Sequence, residues 1–275
     1  MKLFYNVLVL PMHPAARAAK QIATLDLLSQ GRVVLGVGVG ARQDDYAAVG
    51  AAWPGRLATL ERQVQEIRRL WAGELASGAN DPIEPMPVQP GGPPLWIAAT
   101  SRAGAERAAR FDTHLLPQGP RHAVLDPWQA QLTATNRRPE DYRVGIIRGV
   151  FVTDDAEREW APIAVAEKYR RDVYVGLIKA SGDHGPRTDG PRPAVPLNPL
   201  QWTVGDVEHC VAELTEFMRE HRVTDLVTWG APPGMAPSVM NASLERFARN
   251  VVPRVRAAVE GGELSKPAPR ITVES

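Results

Sequence analysis

The chain carries one cysteine in 275 residues, which excludes an internal disulfide framework. Cys210 is compatible with a reducing cytoplasm, and its place in a helical pattern makes it a small packing residue. Charge of one sign is not in surplus either. Lys and Arg number 32 against 31 Asp and Glu, so a formal net charge of +1 removes electrostatic capture of nucleic acid as an expected activity. No apolar run approaches the roughly 20 residues that span a bilayer. Residues 3–10 are apolar but are interrupted by Tyr5 and Asn6 and followed at once by Pro11 and Pro14, so they read as a strand rather than a signal sequence. No Gly-x-Ser-x-Gly elbow surrounds Ser101, no P-loop lysine follows a glycine loop, and the six histidines show no metal-ligand spacing.

What is present suits one enzyme domain. A hydrophobic fraction of 44% supports a large core, and 1–259 is expected to form a single α/β domain with a tail at 260–275. Apolar runs predict strands near 3–10, 33–38, 95–99, 113–117, 144–152 and 224–229. Helices are expected near 14–30, 56–73, 101–111, 122–135, 155–180, 204–221 and 238–259. That alternation argues for parallel βα units, with the strands from 33–38 onward in one sheet. Leu57, Leu60, Val64, Ile67 and Trp71 form one apolar stripe, and Thr203 with Asp206 suggests a capping box. Two Gly- and Pro-rich stretches, 74–94 and 181–202, read as excursions rather than domain linkers, the second either a lid or substrate wall or a disordered surface loop.

The densest signal is the run from Ala23 to Gly40, where a helix ends, the chain turns at Ser29 and Gly31, and a strand finishes in Gly36, Gly38 and Gly40. Those glycines are expected to let a ligand approach the backbone closely. They formally satisfy Gly-x-Gly-x-x-Ala, but Asp44, Asp45, Gly50, Pro54 and Gly55 intervene before the next helical run, which argues against a dinucleotide-binding turn. Asp44 and Asp45 read as a solvated turn. His13 and His114 are the catalytic candidates, because both fall at or just after predicted strand ends, where an imidazole can hydrogen-bond a ligand or handle a proton; an ordinary polar loop role is the alternative.

Leu-Pro-Met-His-Pro at 10–14, the glycine run, Arg56 with Glu61, Leu70-Trp71, Pro87-Val88-Gln89-Pro90 and Pro93 to Ala98 occur in an order that resembles the luciferase-like monooxygenase superfamily. Ser101 with Ala103, Arg107 to Arg110, and Pro233-Gly234-Met235 with Phe247, Val252 and Pro253 extend the resemblance, which runs nearly from Leu8 to Val255. It implies a TIM-barrel-like (β/α)8 fold of the bacterial luciferase type. Six predicted strands against eight leave the barrel incomplete at the N-terminus, without a counterpart for the first two βα units. The implied cofactor is FMN or the deazaflavin coenzyme F420, lying across the C-terminal face. Gly38, Val39 and Gly40 match one cofactor loop. Thr100, Ser101 and Gly104 match the phosphate-binding segment, although simple N-capping is the other role open to Thr100 and Ser101. Val39 stands where bacterial luciferase has an arginine, a form more similar to deazaflavin users, and Arg42 is either a substitute charge or a solvated surface residue.

The implied activity is that of an oxidoreductase or monooxygenase acting on a small organic substrate, in the cytoplasm, as a homo-oligomer without nucleic-acid or membrane partners. The alternative is a cofactor-binding or subunit-stabilising relative with weak or no turnover. Residues 3–10 are then expected to be an exposed sheet edge.

Overall fold

The computed structural model describes residues 2–118, 121–180, 202–229 and 234–260. The candidate lid at 181–202, except Trp202, and the tail beyond Glu260 lie outside the described residues, as does Pro233. The chain divides into two compact units, the first built on residues up to Arg143 and the second on Val144–Gly176 together with the described residues from Trp202 onward.

In the first unit β1 (Leu3–Val9), β2 (Val33–Gly38), β3 (Leu95–Ala99) and β4 (His114–Pro117) form one sheet in that order, with every neighbouring pair parallel. Helices α1 (Ala15–Leu28), α3 (Arg56–Trp71) and α4 (Arg102–Arg110) lie between successive strands, with a short α2 (Gln43–Ala48) ahead of α3, and α5 (Arg121–Ala134) follows β4. The α3 stripe is real: Leu60, Val64, Ile67 and Trp71 are each at most 4% exposed, and each buried side chain contributes about 1.5–3 kcal/mol of transfer free energy. Leu57, the first member of the predicted stripe, is instead exposed on the opening turn.

Asp26, on the buried face of α1, is fully inaccessible. Its Oδ2 accepts the Val88 and Gln89 backbone N–H groups at 2.9 Å each, and its Oδ1 accepts Gln89 Nε2 at 2.7 Å. Three donors satisfy a carboxylate that would otherwise be costly to bury. Gln89 Nε2 also donates to the Val33 carbonyl at 2.8 Å, so the 74–94 excursion is strapped to the start of β2. The excursion follows a helix and precedes β3, so it lies at the N-terminal end of the strands.

In the second unit β5 (Gly145–Val152) lies between β6 (Trp202–Gly205) and β7 (Asp225–Trp229), parallel to both. Val150 and Val152 face Cys210, Leu214 and Met218 of α7 (Val207–Glu220) and Val255 of α9 (Val252–Glu260). Phe151 and Trp202 meet Ile163 of α6 (Ala156–Ala180). The expected single sheet appears instead as two parallel sheets, and β6, missing from the predicted strands, pairs with β5 from Gly149 to Val152.

The start of the predicted 204–221 helix is this strand. Thr203 is buried within β6 and its hydroxyl accepts from Arg148 Nε at 2.8 Å, so it takes no part in capping. Asp206 alone is the N-cap, its Oδ1 accepting the His209 N–H at 2.8 Å. The predicted 238–259 helix appears as α8 (Pro237–Arg246), a π-helical turn at Phe247–Val251, and α9. The π turn falls just before Pro253, which has no N–H to continue an α-helical ladder.

Candidate functional site

Parallel strands present their C-terminal ends on one edge, and the register of the first sheet places Val9 beside Gly38 and Ala99 beside Pro117. His13, residues 38–40, Thr100 and Ser101 all stand at or just past that edge. His114 does not. It opens β4, paired with Trp96 near the start of β3, so the strand end it occupies is the N-terminal one. There its Nδ1 accepts the Arg143 N–H at 3.1 Å, and its ring packs edge-on against Trp96 at 4.9 Å and Tyr142 at 6.2 Å.

His13 closes the 3-10 turn Leu10–Met12 that follows β1, donating its N–H to the Leu10 carbonyl at 2.9 Å. Its own carbonyl accepts Gln63 Nε2 at 2.6 Å. A carbonyl requires a donor, which fixes the amide orientation and leaves Gln63 Oε1 buried without a partner among the described residues. Gln63 was missed in the sequence, although a polar residue at a buried position of the α3 stripe, between Leu60 and Ile67, is a visible signal.

The glycine series is required by packing within the sheet. A Cβ on Gly36 would stand 2.3 Å from the Tyr5 carbonyl oxygen, one on Gly38 would stand 2.9 Å from Val7 Cγ2, and one on Gly40 would stand 2.8 Å from Val9 Cγ1. The space their side chains would need is filled by β1, so close approach of the neighbouring strand requires glycine at these three positions, and at Gly40 a φ of +65° requires it as well. What residues 38–40 offer outward is backbone. The Val39 carbonyl accepts the Tyr46 hydroxyl at 2.7 Å. Tyr46 lies in α2, whose first turn holds Asp44 and Asp45, where acidic side chains favour the helix dipole. Arg42 pairs with Asp45 at 3.3 Å, both half-exposed, as suits a surface arginine.

At the third position Ser101 is the N-cap of α4, its Oγ accepting the Gly104 N–H at 3.3 Å. Gly104 is buried, and a Cβ there would stand 3.2 Å from the Ala99 Cβ, so it serves helix–strand packing and its N–H is already taken. The exposed Thr100 hydroxyl and the first N–H groups of α4 remain suited to an anion. Among the described residues no group of three or more His, Cys, Asp or Glu is arranged to hold a metal ion, and no helix is long and apolar enough to cross a membrane.

Residues 1–225 match the luciferase-like monooxygenase family. The chain is 26% identical to the FMNH(2)-dependent dimethylsulfone monooxygenase of Pseudomonas fluorescens over 69% of its own length and 56% of that protein's. It is 26% identical to the F420-dependent glucose-6-phosphate dehydrogenase of Amycolatopsis mediterranei, over 87% of this chain and 74% of that one. The chain thus spans little more than half the length of the first of these relatives. The crystal structure of the monooxygenase RslO1 from Streptomyces bottropensis superposes with a TM-score of 0.73 at 19% identity, covering 92% of this chain and 78% of that one. With parallel βα units, a shared fold and a family match across most of its length, the chain belongs to the luciferase-like monooxygenase family.

Proposed function

We propose that this chain is an oxidoreductase using FMN or coenzyme F420 on a small organic substrate. The observation that carries the reading is the convergence of His13, residues 38–40 and the N-terminus of α4 on the C-terminal edge of one parallel sheet. One relative is FMNH(2)-dependent and another F420-dependent, and both cofactors are anionic at a phosphate. The residues fit such a group. The Thr100 hydroxyl and the first N–H groups of α4 would hold the phosphate, with Ser101 setting the start of the helix, and the backbone at residues 38–40 would meet the ring. When bound, either cofactor supplies the hydride or electron chemistry that side chains lack. His13, its backbone held by Gln63, would hold or move a proton at the same edge. His114, at the opposite end of β4, keeps on this reading the role of an aromatic packing residue. Self-association through β1 accompanies the proposal.

Titration of the purified chain with FMN and with F420, read by the visible spectrum of the bound ligand, tests the reading. Replacing Ser101 with Asp, which keeps an oxygen at the N-cap, is expected to weaken binding by about 1–3 kcal/mol through like-charge repulsion with the phosphate. Unchanged affinity in a folded variant would leave Ser101 as a cap only. Tight binding with no turnover of any offered substrate would assign the chain as a cofactor-holding relative.

A further inference from the structure

We infer that Tyr46 is a positioning residue for the cofactor, fixing the peptide between Val39 and Gly40 so that the Gly40 N–H is presented to the ligand. The inference rests on the reading that residues 38–40 face the cofactor. A trans peptide is planar, with its C=O and N–H pointing in opposite directions. The Tyr46 hydroxyl donates to the Val39 carbonyl at 2.7 Å, so holding that oxygen on the α2 side sends the Gly40 N–H the other way. Gly40 needs this outside help. Its φ of +65° takes the chain out of extended conformation, and the ladder between β1 and β2 ends at Val9 and Gly38.

The anchor itself is rigid. Tyr46 is 1% exposed, its ring meets Trp53 edge-on at 5.1 Å, and the Arg56 guanidinium covers the Trp53 ring with its Cζ 3.6 Å from the centroid. Burial pushes the Tyr46 phenol above its ordinary range, with Arg56 opposing in part, so the hydroxyl keeps the proton it donates throughout neutral pH. A short helix absent from the predicted elements thereby sets the direction of one backbone donor at the end of β2.

The test uses the full chain and two variants. Tyr46→Phe keeps the ring and removes the hydroxyl, and is expected to raise the dissociation constant of the cofactor that the parent chain binds, FMN or F420, about tenfold. Trp53→Phe perturbs the same cluster without touching the bond to Val39, and is expected to leave that constant within twofold. Equal affinity in Tyr46→Phe and the parent overturns the role of Tyr46. So does an equal loss in both variants, which would mark general loosening of the loop. A parent chain that binds neither FMN nor F420 overturns the oxidoreductase reading itself, a result distinct from the other two.

Discussion

Cys210 shows how far a single buried group can be taken. It is fully inaccessible on α7, its Sγ–H donates to the Gly205 carbonyl at 3.4 Å, and burial, with Glu213 and Asp206 nearby, pushes its thiol up to about 11. At pH 8 the thiolate is then on the order of one part in a thousand, too little for ordinary thiol chemistry. The native chain is expected to resist a disulfide-exchange reagent and to react with one equivalent once unfolded; fast reaction of the native chain would show that the contact between α7 and β5 opens readily. The same shift carries a sign for stability. An unfolded thiol ionises near about 8.5, while the folded one stays neutral to about 11. Its contribution is therefore complete below the lower value and lost as pH rises towards the upper one. The urea midpoint of the parent should fall across that interval more steeply than that of Cys210→Ala.

At the scale of elements, the interface between β5 and α7 is organised around a buried cation. Arg148 is 5% exposed, donates to Thr203 at 2.8 Å, pairs with Glu213, and lies over the Phe217 ring with its Cζ 4.4 Å from the centroid. Glu213 is about one-third exposed and also meets His209 Nε2 at 3.0 Å. Removing one partner of such a pair leaves a charge poorly compensated, so Glu213→Ala is expected to cost about 2–3 kcal/mol, below the full buried-pair penalty because solvent reaches Glu213. Urea unfolding measures it, and a loss under about 0.5 kcal/mol, the level of an exposed pair, would show that the other partners of Arg148 suffice to hold it.

The same scale shows where sequence reading succeeds. Long apolar runs and the α3 stripe carry their own periodicity, and the corresponding strands and helices appear within a few residues of expectation. β6 and α2 do not carry such a signal. The first is four residues of Trp-Thr-Val-Gly set directly against the Asp206 cap, and the second is six residues, too short for a helical period to register. The placement of His13, Thr100 and Ser101 at the C-terminal edge was legible because strand ends and helix caps are local. The cause of the glycine series was not, because it lies in Tyr5, Val7 and Val9, close in space but about 30 residues away in the chain. His114 is a different case: it lies at the N-terminal end of the expected 113–117 strand as well as of β4, so its distance from the C-terminal edge was already legible.

At the scale of the molecule β1 is an exposed sheet edge. Among the described residues it pairs only with β2, and Leu3 and Tyr5 are 41% and 36% exposed. A strand edge offers unpaired N–H and C=O groups to any other strand, and a net charge of +1 supplies little repulsion to keep two copies apart. Bulky apolar side chains on that edge add a hydrophobic incentive that an isolated row of backbone groups lacks. The chain is therefore expected to sediment as a species heavier than its 30.0 kDa, in a concentration-dependent manner. Lysine on an edge strand blocks pairing by desolvation and like-charge repulsion between copies, at little cost to a residue already exposed. The double variant Leu3→Lys with Tyr5→Lys should shift the population towards the single chain while leaving helical circular dichroism unchanged. If parent and variant sediment together as single chains across the same concentrations, the β1 edge is inert and association through it is excluded.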